Sequence, residues 1–174
     1  MTADLHIGGN TTRIDTAHKT LHNDNSPQHG HYIMQLKVKR LDPRAVIPKY
    51  QSDGAACFDL VAIERTDVAP GIALYRTGLS FDIPQGHVLE VYSRSGHGFN
   101  HHTRLANAVG IVDSDYRGEV MVKLIRDDGF PEMPEVGERV AQAMLRPVDQ
   151  VEFIEVDELS ETKRGANGMG STGK

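Results

Sequence analysis

The strongest constraint in this chain is its punctuation: from Met34 onward, short apolar runs of about five to seven residues alternate with clusters of turn-forming residues. The runs are Met34 to Lys39, Phe58 to Ile63, Ile72 to Arg76, Leu79 to Ile83, His87 to Tyr92, Glu119 to Ile125 and Gln150 to Val156. In the first, Met34, Leu36 and Val38 alternate with Gln35, Lys37 and Lys39, the period of a half-buried strand. Between the runs stand Ser52-Asp53-Gly54, Pro70-Gly71, Pro84-Gln85-Gly86, Asp127-Asp128-Gly129 and Pro147. Strands this short and this regularly interrupted predict an all-β sandwich or jelly roll. Glu138 to Leu145 also fits helical spacing, but its short length and the stop at Pro147 make it a strand. The one short helical turn is expected at Ser95 to about His102, with Gly96 and Gly98 weakening it.

Residues 1–31 are polar, rich in Thr, Asn, Asp and His, and aperiodic, which predicts a flexible extension; the folded domain is expected over 32–160 and a glycine-rich arm over 161–174. His18, His22, His29 and His31 are read as part of a solvated tail. A chain of 174 residues suits one domain with one core. No apolar stretch approaches the ~20 residues needed to cross a bilayer, and no secretory h-region opens the chain, so a cytoplasmic or organellar protein is expected. The single cysteine, Cys57, excludes a disulfide framework and a multi-cysteine zinc site. With a net charge of −5 the chain has no overall positive field, which argues against duplex nucleic acid as a partner.

Chemistry-bearing residues gather at strand ends and turns, where a rigid scaffold can position them without burying them. Gly110 to Val120 puts Asp113 and Asp115 beside Tyr116; one carboxylate there suits a base or a metal ligand, and Asp113-Ser114 also suits a plain Asx-turn. Arg164 to Gly173 combines glycines with Ser171, Thr172 and a guanidinium, the ingredients of a phosphate cradle. No Gly-Lys-Ser/Thr follows a spaced glycine there, so a P-loop is excluded. His97, His101 and His102 show no matched zinc ligand set and read as a surface turn.

Ala55-Ala56-Cys57-Phe58-Asp59-Leu60, Arg94-Ser95-Gly96, Gly110 to Val120, Gly137-Glu138-Arg139-Val140-Ala141-Gln142 and the Arg164 to Gly173 tail occur in one order along one chain. Together they resemble the five motifs of the trimeric dUTPases, over roughly Gln35 to Thr172. The resemblance implies a jelly-roll subunit of the dUTPase β-clip type, a homotrimer whose sites combine motifs from three chains, and hydrolysis of dUTP to dUMP and pyrophosphate with Mg²⁺. By the same resemblance Asp113 is the general base, holding the water that attacks the α-phosphorus. Tyr116 packs against the deoxyribose and leaves no room for a 2′-hydroxyl. Asn107 and Gly110 read uracil. Arg94, Ser95, Gly96, Gln142, Arg164, Ser171 and Thr172 hold the triphosphate; Met169 and Gly170 complete the closing arm; and Asp59 contacts the metal through water.

The sequence departs from the family pattern at four positions: Ser93 stands for a proline, Cys57 and Asn167 for glycines, and Met169 for the aromatic residue that stacks on uracil. Met169 is expected to cap the base with less face area and to weaken binding. Two alternatives share the scaffold: a dCTP deaminase-related enzyme, and a dUTP-binding regulator with a protein partner for the N-terminal extension. The first is disfavoured by the turn at Asp113-Ser114-Asp115-Tyr116, which follows the dUTPase pattern.

Overall fold

The computed structural model describes residues 34–127 and 133–168. The chain divides after Met34, and all that follows concerns the unit Gln35–Lys174. Its described residues form ten strands and one short helix: β1 (Lys37–Arg40), β2 (Phe58–Val61), β3 (Glu64–Ala69), β4 (Ile72–Arg76), β5 (Leu79–Asp82), β6 (His87–Tyr92), α1 (Ser95–His101), β7 (Thr103–Leu105), β8 (Val109–Val112), β9 (Met121–Arg126) and β10 (Arg139–Pro147). The all-β fold expected from the punctuation is the observed one, and α1 falls where the single helical turn is expected.

Two four-stranded antiparallel sheets carry the architecture, in the orders β2-β10-β6-β8 and β3-β4-β9-β7, with β1 and β5 forming a separate antiparallel pair. Alternation decides which side chains enter the core. On β4, Ala73 and Tyr75 are buried; on β9, Val122 and Leu124 are buried while Met121 and Lys123 face out; on β2, Phe58 and Leu60 are buried on either side of Asp59. These residues join Leu79, Leu89, Val91, Leu105 and Ala143 in one apolar cluster. Polar groups inside it are satisfied: Tyr75 Oη donates to the Pro134 carbonyl at 2.7 Å and Thr77 Oγ1 to the Val120 carbonyl at 2.6 Å.

Four segments differ from the sequence reading. Gln150 to Val156 is not a strand: Val151, Phe153 and Ile154 are 67, 93 and 76% exposed, and the segment pairs with no strand among the described residues. β3 was hidden because an edge strand with Thr66 and Asp67 facing water carries no apolar run. β7 has three residues, too few for a period to show, and β8 occupies Val109–Val112, which reads as turn because of Gly110. That glycine permits close pairing, since a Cβ on it would stand 3.0 Å from Val91 Cβ on β6.

Candidate active site

Asp59, Gln142 and Tyr92 lie in register across β2, β10 and β6. Asp59 and Gln142 each sit between buried neighbours and therefore project from the outer face of the sheet. On a regular strand Arg139 and Gln142, three residues apart, would face opposite sides. A β-bulge prevents this: Arg139 pairs with Val61 and Ala141 with Leu60, so Val140 is an extra residue, and both Val140 and Ala141 turn into the core. Arg139 thereby joins Asp59 on the outer face. Asp59 accepts from Arg94 Nε at 3.0 Å through Oδ1 and from Arg139 Nη1 at 2.9 Å through Oδ2. Arg94 Nη1 also donates to the Arg139 carbonyl at 3.0 Å, and Gln142 Nε2 donates to the Ser93 carbonyl at 2.9 Å. The first, second and fourth sequence motifs are thus one hydrogen-bonded assembly.

Arg94 caps α1 as its N-cap residue, Ser95 and Gly96 form the first turn, and Ser93 Oγ accepts from the Leu105 amide at 2.9 Å. The hydroxyl at Ser93 fastens the end of β6 to β7. One turn into the helix His97 is buried, and its Nδ1 has no hydrogen-bond partner among the described residues. Burial pushes the imidazole below its ordinary value, and the charge of Arg94 and the neighbouring His101 push the same way.

A cavity of about 550 Å³ elsewhere on the chain is lined by Asn107, Gly110, Asp113, Tyr116 and Glu119, with Leu105 and Val120 at its apolar wall. β8 delivers Asp113 at its end, and the turn that follows closes when the Tyr116 amide donates to the Asp113 carbonyl at 3.2 Å. The Asp113 carboxylate makes no hydrogen bond to the described residues, which leaves its oxygens available to water or ligand. Tyr116 folds back so that its Oη donates to the Glu119 carbonyl at 3.2 Å, with the ring over Gly118, where a Cβ would stand 2.3 Å from that oxygen. Glu119 anchors the segment: its carboxylate accepts from the Gly78 amide at 2.7 Å and from Arg76 Nε at 3.0 Å.

The structure therefore brings the predicted residues together in two sets. Asn107, Gly110, Asp113 and Tyr116 share the cavity; Asp59, Arg94 and Gln142 share the bonded assembly, with Ser95 and Gly96 continuing from Arg94 into α1. Arg164 joins neither: it is exposed, and its Nε donates to the Asn167 carbonyl at 2.8 Å. Met169, Gly170, Ser171 and Thr172 lie outside the described residues. Arg139 and Glu119 lie within the motif segments, but the sequence assigns neither of them an individual role. The available signal for Arg139 was two polar residues flanking the apolar pair Val140-Ala141, a break in strand alternation that announces a bulge.

Fold and site together define a class: an antiparallel all-β protein with strand-end carboxylate, aromatic and guanidinium groups arranged for a small polar ligand. Comparison with known proteins makes it specific. The dUTPase family model matches residues 44–173. The chain is 48% identical over 142 residues to a deoxyuridine 5′-triphosphate nucleotidohydrolase of Nautilia profundicola, covering 81% of this chain and all of that one. It is 40% identical over 141 residues to the enzyme of the same name from Helicobacter pylori, covering 80 and 97%. Among solved structures, a variant of the Staphylococcus bacteriophage 80alpha dUTPase with dUpNHpp superposes with a TM-score of 0.70 at 26% identity, covering 80% of this chain and 99% of that one. The chain belongs to the dUTPase family.

Proposed function

We propose that the chain hydrolyses dUTP to dUMP and pyrophosphate by attack of water on the α-phosphorus. The observation that carries this reading is the cavity that gathers Asn107, Gly110, Asp113 and Tyr116 around one space in a family member. Asp113, with an uncommitted carboxylate at the cavity wall, is the group that takes the proton of the attacking water. Asn107 and the backbone at Gly110 read the uracil edge, and cytosine is rejected because it leaves those polar groups unpaired. The Tyr116 ring fills the space a 2′-hydroxyl would need. Arg94, Ser95, Gly96 and Gln142 receive the phosphates, and Arg164 with Met169, Gly170, Ser171 and Thr172 closes over them.

Division of these groups into two sets within one chain supports a homotrimer in which one subunit's Arg94 assembly faces another's Asp113 cavity. The exposed apolar residues Val151, Phe153, Ile154 and Val156, unpaired with any strand among the described residues, support the same assembly. Magnesium, when bound, neutralises charge on the phosphates. Among the described residues no three His, Cys, Asp or Glu side chains are arranged to hold a metal, so such an ion would be held chiefly by the nucleotide. Asp59 does not fit as its direct ligand, since each carboxylate oxygen already faces a guanidinium. No helix among the described residues is long and apolar enough to cross a membrane, and we place the reaction in the cytoplasm.

The test is pyrophosphate release with Mg²⁺ from dUTP, dCTP, dTTP and UTP offered separately. Release confined to dUTP is expected; equal release from UTP removes the role of Tyr116, and none from dUTP removes the reading. Asp113→Asn should keep nucleotide affinity and lose about a thousandfold or more in kcat.

A further inference from the structure

We infer that Asp59 and Arg139 are positioning residues for Arg94, and that Asp59 acts on the phosphate chain through a guanidinium instead of through a metal ion. The inference rests on the dUTP reading above. Asp59 is the one carboxylate of its ion-pair cluster, with a side chain 11% exposed, and it is flanked by two cations at 3.0 and 2.9 Å. Such a cluster, two guanidiniums and one carboxylate, keeps a net charge of +1 and repels a dication while attracting a polyphosphate.

Arg94 uses Nε on Asp59 and Nη1 on the Arg139 carbonyl, so its guanidinium plane is fixed at two points and Nη2 makes no bond to the described residues. Arg139 spends Nη1 on Asp59, while its Nε and Nη2 make no bond to the described residues. A guanidinium held at two corners with a third donor open is preorganised to meet an anion without losing side-chain freedom at that moment. Arg139 contributes twice, by its carbonyl to Arg94 and by its side chain to Asp59. Its place beside Asp59 depends on the bulge at Val140, which costs the sheet a regular pair and turns the consecutive residues Val140 and Ala141 both into the core. The same bulge brings Arg139 to the outer face, where it meets Asp59.

The experiment uses the full chain, Asp59→Asn and Arg139→Gln, each checked for folding by circular dichroism and for midpoint in urea. Binding of dUpNHpp and of dUMP is measured by calorimetry in EDTA, and turnover of dUTP is measured across a Mg²⁺ titration. Both variants should weaken dUpNHpp binding in EDTA by about tenfold or more while leaving dUMP within about twofold, because only the longer phosphate chain needs the oriented guanidinium. The Mg²⁺ concentration for half-maximal turnover should stay where it is in the natural sequence, and KM should change more than kcat. Unchanged dUpNHpp affinity in EDTA together with a raised Mg²⁺ requirement would assign Asp59 to the metal and overturn the proposal. Equal losses for dUMP and dUpNHpp would reduce it to a folding effect and overturn it as well. If Asp59→Asn does not fold, Arg139→Gln decides alone, since that side chain is 45% exposed and outside the core. Failure of the natural chain to bind dUpNHpp or turn over dUTP would instead sink the dUTP reading itself, before any variant is compared.

Discussion

Gly118 and His97 each stand behind a residue of the candidate site, Gly118 under the Tyr116 ring and His97 in the helix that Arg94 opens. A Cβ at Gly118 would meet the far end of the Tyr116 ring, which is 45% exposed and free to swing outward. Gly118→Ala should therefore leave stability within about 1 kcal/mol but displace the ring from the sugar position. Preference for dUTP over UTP should fall about tenfold, read as the ratio of the two kcat/KM values; an unchanged ratio would show that the ring does not police the 2′ position. His97 bears on stability through its protonation equilibrium. Its buried imidazole faces Arg94 and Arg139, the second histidine His101, and the carboxylates Glu135 and Glu138 across a small cavity, and burial with the nearby positive charge disfavours a proton. In the unfolded chain the ring takes a proton near its ordinary value of 6.5, so below that pH the unfolded state binds the extra proton and is favoured. Stability should be full above pH 6.5 and decline as pH falls below it. His97→Leu should flatten that decline, measured as the urea midpoint at neutral and mildly acidic pH; an identical slope in the variant would assign the acid sensitivity elsewhere.

At the level of elements, the loop between β4 and β5 carries more constraint than its length suggests. Gly78 has φ +67°, and a Cβ there would stand 2.7 Å from Ile63 Cδ1 and 2.9 Å from Ala45 Cβ. Its amide donates to Glu119 and its carbonyl accepts from the Leu41 amide at 2.7 Å, so one residue joins three segments. Gly78→Ala combines left-handed backbone strain with core overpacking and should cost about 2–4 kcal/mol, seen as a lowered urea midpoint at constant m-value. A loss below about 0.5 kcal/mol would mean that the loop rearranges freely. In the sequence only the break between the runs Ile72 to Arg76 and Leu79 to Ile83 marks this turn, without its partners, and the same division holds across the fold. Strands that bury one face, such as β4 and β6, are legible because alternation is a local property. β3 and the bulge in β10 are not, because an exposed edge lacks apolar contrast and a bulge breaks the period that would reveal its strand. The candidate site divides likewise: Asp113, Tyr116 and Arg94 are legible through motif order, whereas Arg139 becomes relevant only once pairing with β2 puts it beside Asp59.

For the whole molecule, the decisive property is that, among the described residues, the groups to which we assign the chemistry fall into two separate sets. The Asp113 cavity is lined by neither Arg94, Gln142 nor Asp59, and the apolar run from Val151 to Val156 lies exposed against solvent in the isolated chain. Burying such a run against a second copy would be favourable by roughly 25 cal/mol per Å² of apolar surface removed. Phe153→Asp places a charge in that surface and should shift the sedimenting species from three times the 19.2 kDa chain toward the single chain, with activity lost in parallel. A functional test does not depend on mass. Arg94→Ala and Asp113→Asn chains, each inactive alone, are unfolded together in equal amounts and refolded. If each site takes its phosphate half from one subunit and its base half from the next, a site works when an Asp113→Asn chain supplies Arg94 and an Arg94→Ala chain supplies Asp113. Random assembly makes that combination in about a quarter of the sites, so turnover should recover to roughly 25% of the unmutated chain. Were both halves drawn from one subunit, every site would carry a lesion and mixing would restore nothing; recovery that fails while each variant still assembles and binds dUpNHpp would return the complete site to the single chain.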